Sequence, residues 1–217
     1  MWMDEWVLNA PEEALRGRVL FRFFETRRRV VVLSSSNKPE IETNTTACEA
    51  DGIPILRRKG GGGTVVLGPG CVVLTLAFRA RELFNNAAYF RQVNALWIEA
   101  LGTLGGFDAT ELATRGISDI AAGDKKIAGT SVFRRKHLFV YQGSLLVDPN
   151  FDAVSRYLAH PSKEPDYRAG RDHRSFLTSL RELGCPLSAS DVASACNAHF
   201  RARAASHFED ALLPHSE

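Results

Sequence analysis

Residues 57–78, RRKGGGGTVVLGPGCVVLTLAF, join three adjacent cations to four consecutive glycines and then to an apolar run broken only by Gly68, Pro69 and Gly70. No helix accommodates that stretch. Each glycine in a helix interior costs about 1 kcal/mol relative to alanine, and the valines that follow favour the pleated surface of a sheet. The segment reads as a loop leading into two apolar strands joined by a tight turn. Two readings of the loop stay open: a slack hinge, or a backbone wall laid against an anionic ligand. Glycines let backbone N–H groups approach such a ligand closely, and Arg57 and Arg58 offer bidentate partners for phosphate oxygens. A P-loop is excluded, because Gly63 is followed by Thr64 and Val65 instead of a Lys-Ser/Thr pair. The dinucleotide fingerprint fails as well, since these glycines open a strand and not a helix.

The rest of the chain fixes the fold class. Trp2, Trp6 and Val7 have the spacing of a short amphipathic helix within residues 1–15, which Pro11 ends or restarts. Residues 19–25 and 27–33 read as strands, 41–52 as a helix starting near Thr43 or Asn44 and stopping at Gly52, and IPILRR as a third strand. Phe84, Ala88, Phe90, Val93, Leu96, Trp97 and Leu101 recur at helical spacing and predict a core helix. Residues 116–148 read as short strands broken by Gly123, Gly129 and Gly143. From Phe151 on the pattern is mainly helical: FDAVSRYLA, then RDHRSFLTSLREL, then a last helix capped by Ser188 or Ser190. Strands bunched together, with helices before and after them, predict an α+β layer with a largely antiparallel sheet.

Charge and cysteines narrow the function classes. With 27 Lys and Arg against 25 Asp and Glu, the net charge of +2 gives no global field for nucleic acid or anionic membranes. Anion binding must come from local clusters, at 27–29, 57–59, 134–136 and 168–174. Cys48, Cys71, Cys185 and Cys196 have neither CxxC pairing nor metal-ligand spacing with the six histidines, which argues against a structural zinc site and fits a reducing cytoplasm. The acidic start differs from a signal peptide, and no apolar stretch reaches the ~20 residues needed to span a bilayer. In DKKIAGTS, residues 124–131, strand alternation sends Lys125 and Lys126 to opposite faces, one solvated and one inward.

Several of these stretches share an order. SSSNKPEIETN, RRKGGGGTVV, GISDIAAGDKKIAGTS, YQGSLLVD and YRAGRDHRSFLTSL follow one another as do the motifs of the lipoate-protein ligase family, and MDEWVLN is similar to that family's opening helix. The chain resembles that family over nearly its whole length. The resemblance implies an adenylate-forming fold like that of biotin protein ligases and class II aminoacyl-tRNA synthetases, a central, mostly antiparallel sheet flanked by helices. It implies a reaction in which lipoate and ATP, with Mg2+, give lipoyl-AMP and pyrophosphate. A lysine of an acceptor domain then attacks the mixed anhydride.

Site residues follow from the resemblance. Lys126 matches the family lysine that contacts both the lipoyl carbonyl and the phosphate. Arg58, Gly61, Gly62, Gly63, Thr64, Val65 and Val66 match the nucleotide- and acyl-binding loop, with Arg58 on the phosphate side. Asp119 matches the acidic residue of an Asn-Asp turn near the adenylate or its metal. Gly129, Thr130 and Ser131 let a strand approach the acyl tunnel, whose walls are expected from Val65 and Leu145. No metal site made by the protein's own side chains is predicted.

The departures are specific. Leu67 and Gly68 stand where ligases carry His and Asp, Ser118 where they carry Asn, and Gln142 at the histidine of an HGTLLL-like strand. The whole chain, 1–217, is expected to be one catalytic domain without the C-terminal accessory domain; either a separate protein supplies that function or the chain is a naturally single-domain form. The implied partner is a lipoyl acceptor: an E2 lipoyl domain, a glycine-cleavage H protein or a lipoate-binding protein. Two alternatives carry weight: an octanoyltransferase using a cysteine nucleophile, and a non-catalytic lipoyl-binding subunit. Against the first, Pro161 is followed by Ser162 where one branch carries its cysteine, and Cys71 lies inside an apolar strand. The loop of biotin ligases is missing.

Overall fold

A computed structural model describes residues 5–213. The apolar runs pair into two sheets. The larger has six strands in the order β1 (Leu20–Glu25), β5 (Cys71–Arg79), β9 (Leu138–Leu146), β8 (Lys125–Arg135), β7 (Asp119–Ala122) and β6 (Leu112–Arg115), all antiparallel to their neighbours. The smaller has three, with β2 (Val30–Leu33) between β3 (Ile55–Arg57), to which it is parallel, and β4 (Val65–Leu67), to which it is antiparallel. The expected α+β class holds.

Two long helices, α4 (Asn86–Gly102) and α7 (Ala189–His207), cover one face of the large sheet. Strand alternation sends Leu74, Leu76 and Phe78 with Phe139, Tyr141 and Leu145 into that interface, where Trp97, Phe200 and Phe208 are fully enclosed. Ser188 caps α7 by accepting from the Asp191 N–H. Shorter helices sit elsewhere: α1 (Glu5–Leu8), α2 (Pro39–Glu42), α3 (Thr45–Ala50), α5 (Phe151–Tyr157) and α6 (His173–Phe176). Ala47 and Cys48 of α3 and Val154 and Tyr157 of α5 close a second core over Val31 and Val66 of the small sheet.

Several sequence expectations change. The 41–52 helix is two helices, because Thr43 is extended (φ −135°, ψ 152°) to bridge Leu158, and α3 restarts on the Asn44 cap. The Gly68–Gly70 turn makes no hairpin; it carries the chain from the small sheet to the large one. Gly70, at φ +83°, is pinned to the end of β9 by the Val147 and Asp148 N–H groups, both 3.0 Å from its carbonyl. Phe84 precedes α4 and is 97% exposed. Gly129 and Gly143 break nothing: they lie inside β8 and β9 where other groups approach closely. Only residues 173–176 of RDHRSFLTSLREL are helical, because Leu177 turns out to run beside Lys126 and the Thr178 N–H donates to the Lys126 carbonyl at 3.0 Å. Trp2 lies outside the described residues.

Candidate active site

A cavity of about 660 Å³ lies on the face of the large sheet that α4 and α7 leave open. Its floor is set by strand alternation: Gly129 and Ser131 of β8 pair across to Ser144 and Gln142 of β9, with Leu146 and Val73 beside them. Val32, Val65 and Leu67 of the small sheet roof it together with the glycine loop, and residues 158–177 close the side. Leu145, expected in the wall, is fully buried against the helices instead; Leu146, one position on, lines the cavity. A one-residue shift along a strand exchanges faces.

Lys126 reaches into this space, while Lys125 is exposed. Its Nζ lies 2.8 Å from Asp119 Oδ1, and Asp119 Oδ2 accepts from the Tyr167 hydroxyl at 2.9 Å. Burial, then the Asp119 charge, raises the Tyr167 phenol well above its ordinary range, so it remains a donor. A Cβ on Gly129 would stand 2.9 Å from both Cε and Nζ of Lys126, so the glycine is what lets the ammonium lie flat on the floor. Thr130 Oγ1 donates to the Ser118 carbonyl at 2.7 Å and thereby fixes the turn that delivers Asp119.

The glycine loop is held from within. Arg58, 7% exposed, donates from Nη2 to the carbonyls of Gly61 at 2.6 Å and Gly63 at 2.7 Å, and from Nη1 to Val32 at 3.4 Å. Burial lowers its guanidinium to about 10, which leaves it charged at neutral pH. Arg57 likewise donates to the carbonyls of Ser34, Ser35 and Asn37. The cations read as phosphate partners therefore tie loop carbonyls here. Gly62, at φ +92°, supplies the bend, and Asn37 Nδ2 anchors Thr64 Oγ1 at 3.0 Å. Gly62, Gly63, Thr64, Val65 and Val66 line the cavity; Gly61 does not, and serves through its carbonyl.

The sequence model of one protein family, the lipoyl protein ligase A/B catalytic domain, matches residues 1–201. The chain belongs to that family. Lipoate-protein ligase A of Psychrobacter cryohalolentis is 32% identical over 161 residues, 74% of this chain and 44% of that protein. This ligase-family chain therefore spans less than half the length of the curated relative it matches. Two solved structures share the fold: a bi-partite lipoate protein ligase from Thermoplasma acidophilum, described with its E2 lipoyl domain (20% identity, TM-score 0.73, 88% of this chain and 74% of that one), and a lipoate-protein ligase A bound with ATP (21%, 0.71, 88% and 75%).

Within the ligase-family site, the segment 158–177 supplies a wall whose Arg168 and Phe176 the sequence alone does not single out. Arg168 is 5% exposed and lines the cavity beside Phe176, whose ring lies 4.9 Å from its guanidinium. His173 bonds the Ala159 carbonyl through Nε2 at 2.9 Å and faces Arg168 Nη2 through Nδ1 at 3.5 Å, which orders the loop. Ser162 donates to the carboxylate of Glu42, a side chain only 4% exposed. The basic run from Arg168 to Arg174 and the YRAGRDHRSFLTSL stretch were the signals for this wall. Cys71 is buried and its thiol is pushed up to about 11, so it is no thiolate nucleophile at neutral pH. Among the described residues no group of three or more His, Cys, Asp or Glu could hold a metal ion, and no helix is long and apolar enough to cross a membrane.

Proposed function

We propose that this protein activates lipoate with ATP and passes the lipoyl group to a lysine of a lipoyl-acceptor protein in the cytoplasm. The observation that carries the reading is the Lys126 ammonium lying on a glycine floor inside the cavity, in a chain of the lipoyl ligase family. In the first step a lipoate carboxylate oxygen attacks the α-phosphorus of ATP, and the bond to the β-phosphate breaks to release pyrophosphate. In the second, the acceptor amine attacks the acyl carbon, AMP leaves, and the amine's proton passes to solvent or to the phosphate. The first step gathers negative charge on the α-phosphoryl and pyrophosphate oxygens and the second on the acyl carbonyl oxygen, and a preorganised cation between the acyl group and the phosphate stabilises both.

Asp119 holds Lys126 in place before the ligand arrives, and Tyr167 holds Asp119. Leu67, Val73 and Leu146 give the acyl chain an apolar wall. Nucleotide-bound Mg2+ takes its ligands from phosphates and one or two carboxylates, a requirement that Asp119 can meet. There Mg2+ would offset phosphate charge.

The test incubates the purified chain with lipoate, MgATP and a lipoyl domain, alone and with an accessory domain supplied as a second polypeptide. Lipoyl-AMP and a lipoylated acceptor are expected. An acceptor modified only from octanoyl carrier protein, independent of ATP, would overturn the proposal in favour of acyl transfer. Lipoate binding without lipoyl-AMP in either format would make the protein a non-catalytic subunit.

A further inference from the structure

Three polar side chains of the cavity floor, Ser131, Ser144 and Gln142, take no part in the two reaction steps, and one of them holds an unpaired nitrogen. Gln142 lines the cavity, is 5% exposed, and encloses its Nε2 with no hydrogen-bond partner among the described residues. Leaving such a group unpaired is costly, so an amide that turns to meet an acceptor within the cavity gains a hydrogen bond that it otherwise lacks.

Its place along the floor says what that is. The Lys126 ammonium lies over Gly129, which pairs with Ser144; the next pair on the same face is Ser131 with Gln142. Same-face positions on a strand are about 7 Å apart. The pair that carries Gln142 therefore lies roughly 7 Å along the floor from the pair beneath the ammonium, under the glycine loop, where a Cβ on Gly62 would stand 4.0 Å from the Ser131 Cβ. A carboxyl group held at Lys126 with its chain laid along the floor brings the far end of that chain to Gln142. Lipoate and octanoate share a carbon skeleton and differ there: lipoate carries a dithiolane, whose sulfurs are weak acceptors, and octanoate carries only C–H groups.

We propose that Gln142 is a specificity-determining residue, its enclosed amide turning into the cavity to donate to a dithiolane sulfur so that the cavity prefers lipoate to octanoate. The inference rests on the lipoate-activating reading above. Octanoate leaves the enclosed amide unpaired, and a site built to hydrogen-bond one ligand discriminates against the analogue that cannot respond.

The test is calorimetric binding of lipoate and octanoate to the full chain without ATP. Gln142→Met removes the donor at similar length and should shift the affinity ratio toward octanoate by about five- to tenfold, from a net hydrogen bond near 1 kcal/mol. Gln142→His keeps an N–H donor and should stay within about twofold of the parent ratio. The parent protein supplies a measurement that needs no variant: a pentanoate ending in cyclopentane, the carbocyclic copy of lipoate, should bind about fivefold more weakly than lipoate. Equal binding of these two ring acids overturns the inference, as does a methionine variant that weakens lipoate and octanoate alike. If the parent protein binds no acyl acid at all, the lipoate-activating reading falls with it, a result distinct from either of those.

Discussion

Gly129 and Gly143 lie on adjacent strands of one sheet, and an added Cβ would meet a different kind of neighbour at each. At Gly143 it would run into the ring of Trp97, packed between the sheet and α4; at Gly129 it would touch only the end of the Lys126 side chain. The first neighbour is locked in the core and the second is the tip of a mobile chain. One face of the sheet spends its glycine on close packing and the other on clearance for a charged group. The contrast teaches that stability and chemistry divide here by strand parity more than by region, since Gly143 pairs directly with Thr130, next to Gly129.

The contrast can be broken experimentally. Lys126→Ala should lower lipoyl-AMP formation by about a hundred- to a thousandfold, the usual loss for one preorganised charge-stabilising donor, with an unchanged melting temperature. Gly143→Ala should do the reverse, costing about 1–3 kcal/mol of stability through overpacking while the folded fraction keeps its turnover; chemical denaturation and active-site titration separate the two effects. Gly129→Ala should leave stability within about 0.5 kcal/mol and lower turnover roughly tenfold by displacing the ammonium. If it melts like Gly143→Ala, the division by face is wrong.

The smallest effect concerns the loop wall. Burial lowers the His173 pKa below its ordinary 6.5, an effect that the neighbouring Arg168 and His160 charges reinforce and that the bond to Ala159 and the Asp172 charge oppose. A depressed histidine favours the neutral form in the fold, so its contribution is fully present above pH 6.5 and is lost as pH falls below that value toward the folded pKa. Protonation would also place an N–H of Nδ1 against the Arg168 guanidinium. Amide exchange in residues 158–174 should therefore speed up below pH 6.5 beyond its intrinsic pH dependence, and His173→Gln should flatten that response. Parallel curves for the two proteins would remove His173 from the loop's design.

What could be read from the sequence follows from how far apart the cooperating residues are. Alternation, which is local, said that one of Lys125 and Lys126 turns inward, and the resemblance chose Lys126; the antiparallel class followed from bunched strands. The role of Gly129 and Gly143 was not, since a glycine that admits a ring or a lysine looks the same in sequence as one that ends a strand. Leu145 was placed in the wall and Leu146 belongs there, because strand register is a pairing property. Tyr167 reaches Asp119 across 48 residues and Ser162 reaches Glu42 across 120, contacts that no spacing rule contains. Arg58 was found as a loop residue, but its choice of carbonyl partners depends on the fold of the glycines.

All four cysteines are buried and unpaired, and they sample separate parts of the molecule: Cys48 under the small sheet, Cys71 at the start of β5, Cys185 and Cys196 on the helix side. Desolvation keeps the Cys196 thiol up at about 12 and raises that of Cys48. The protein thus carries built-in clocks. A thiol-modifying reagent has no surface target, so the rate at which each sulfur is tagged, read by peptide mass, times the opening of its own neighbourhood, and ligand added to the cavity should slow the clock at Cys71 before the one at Cys196.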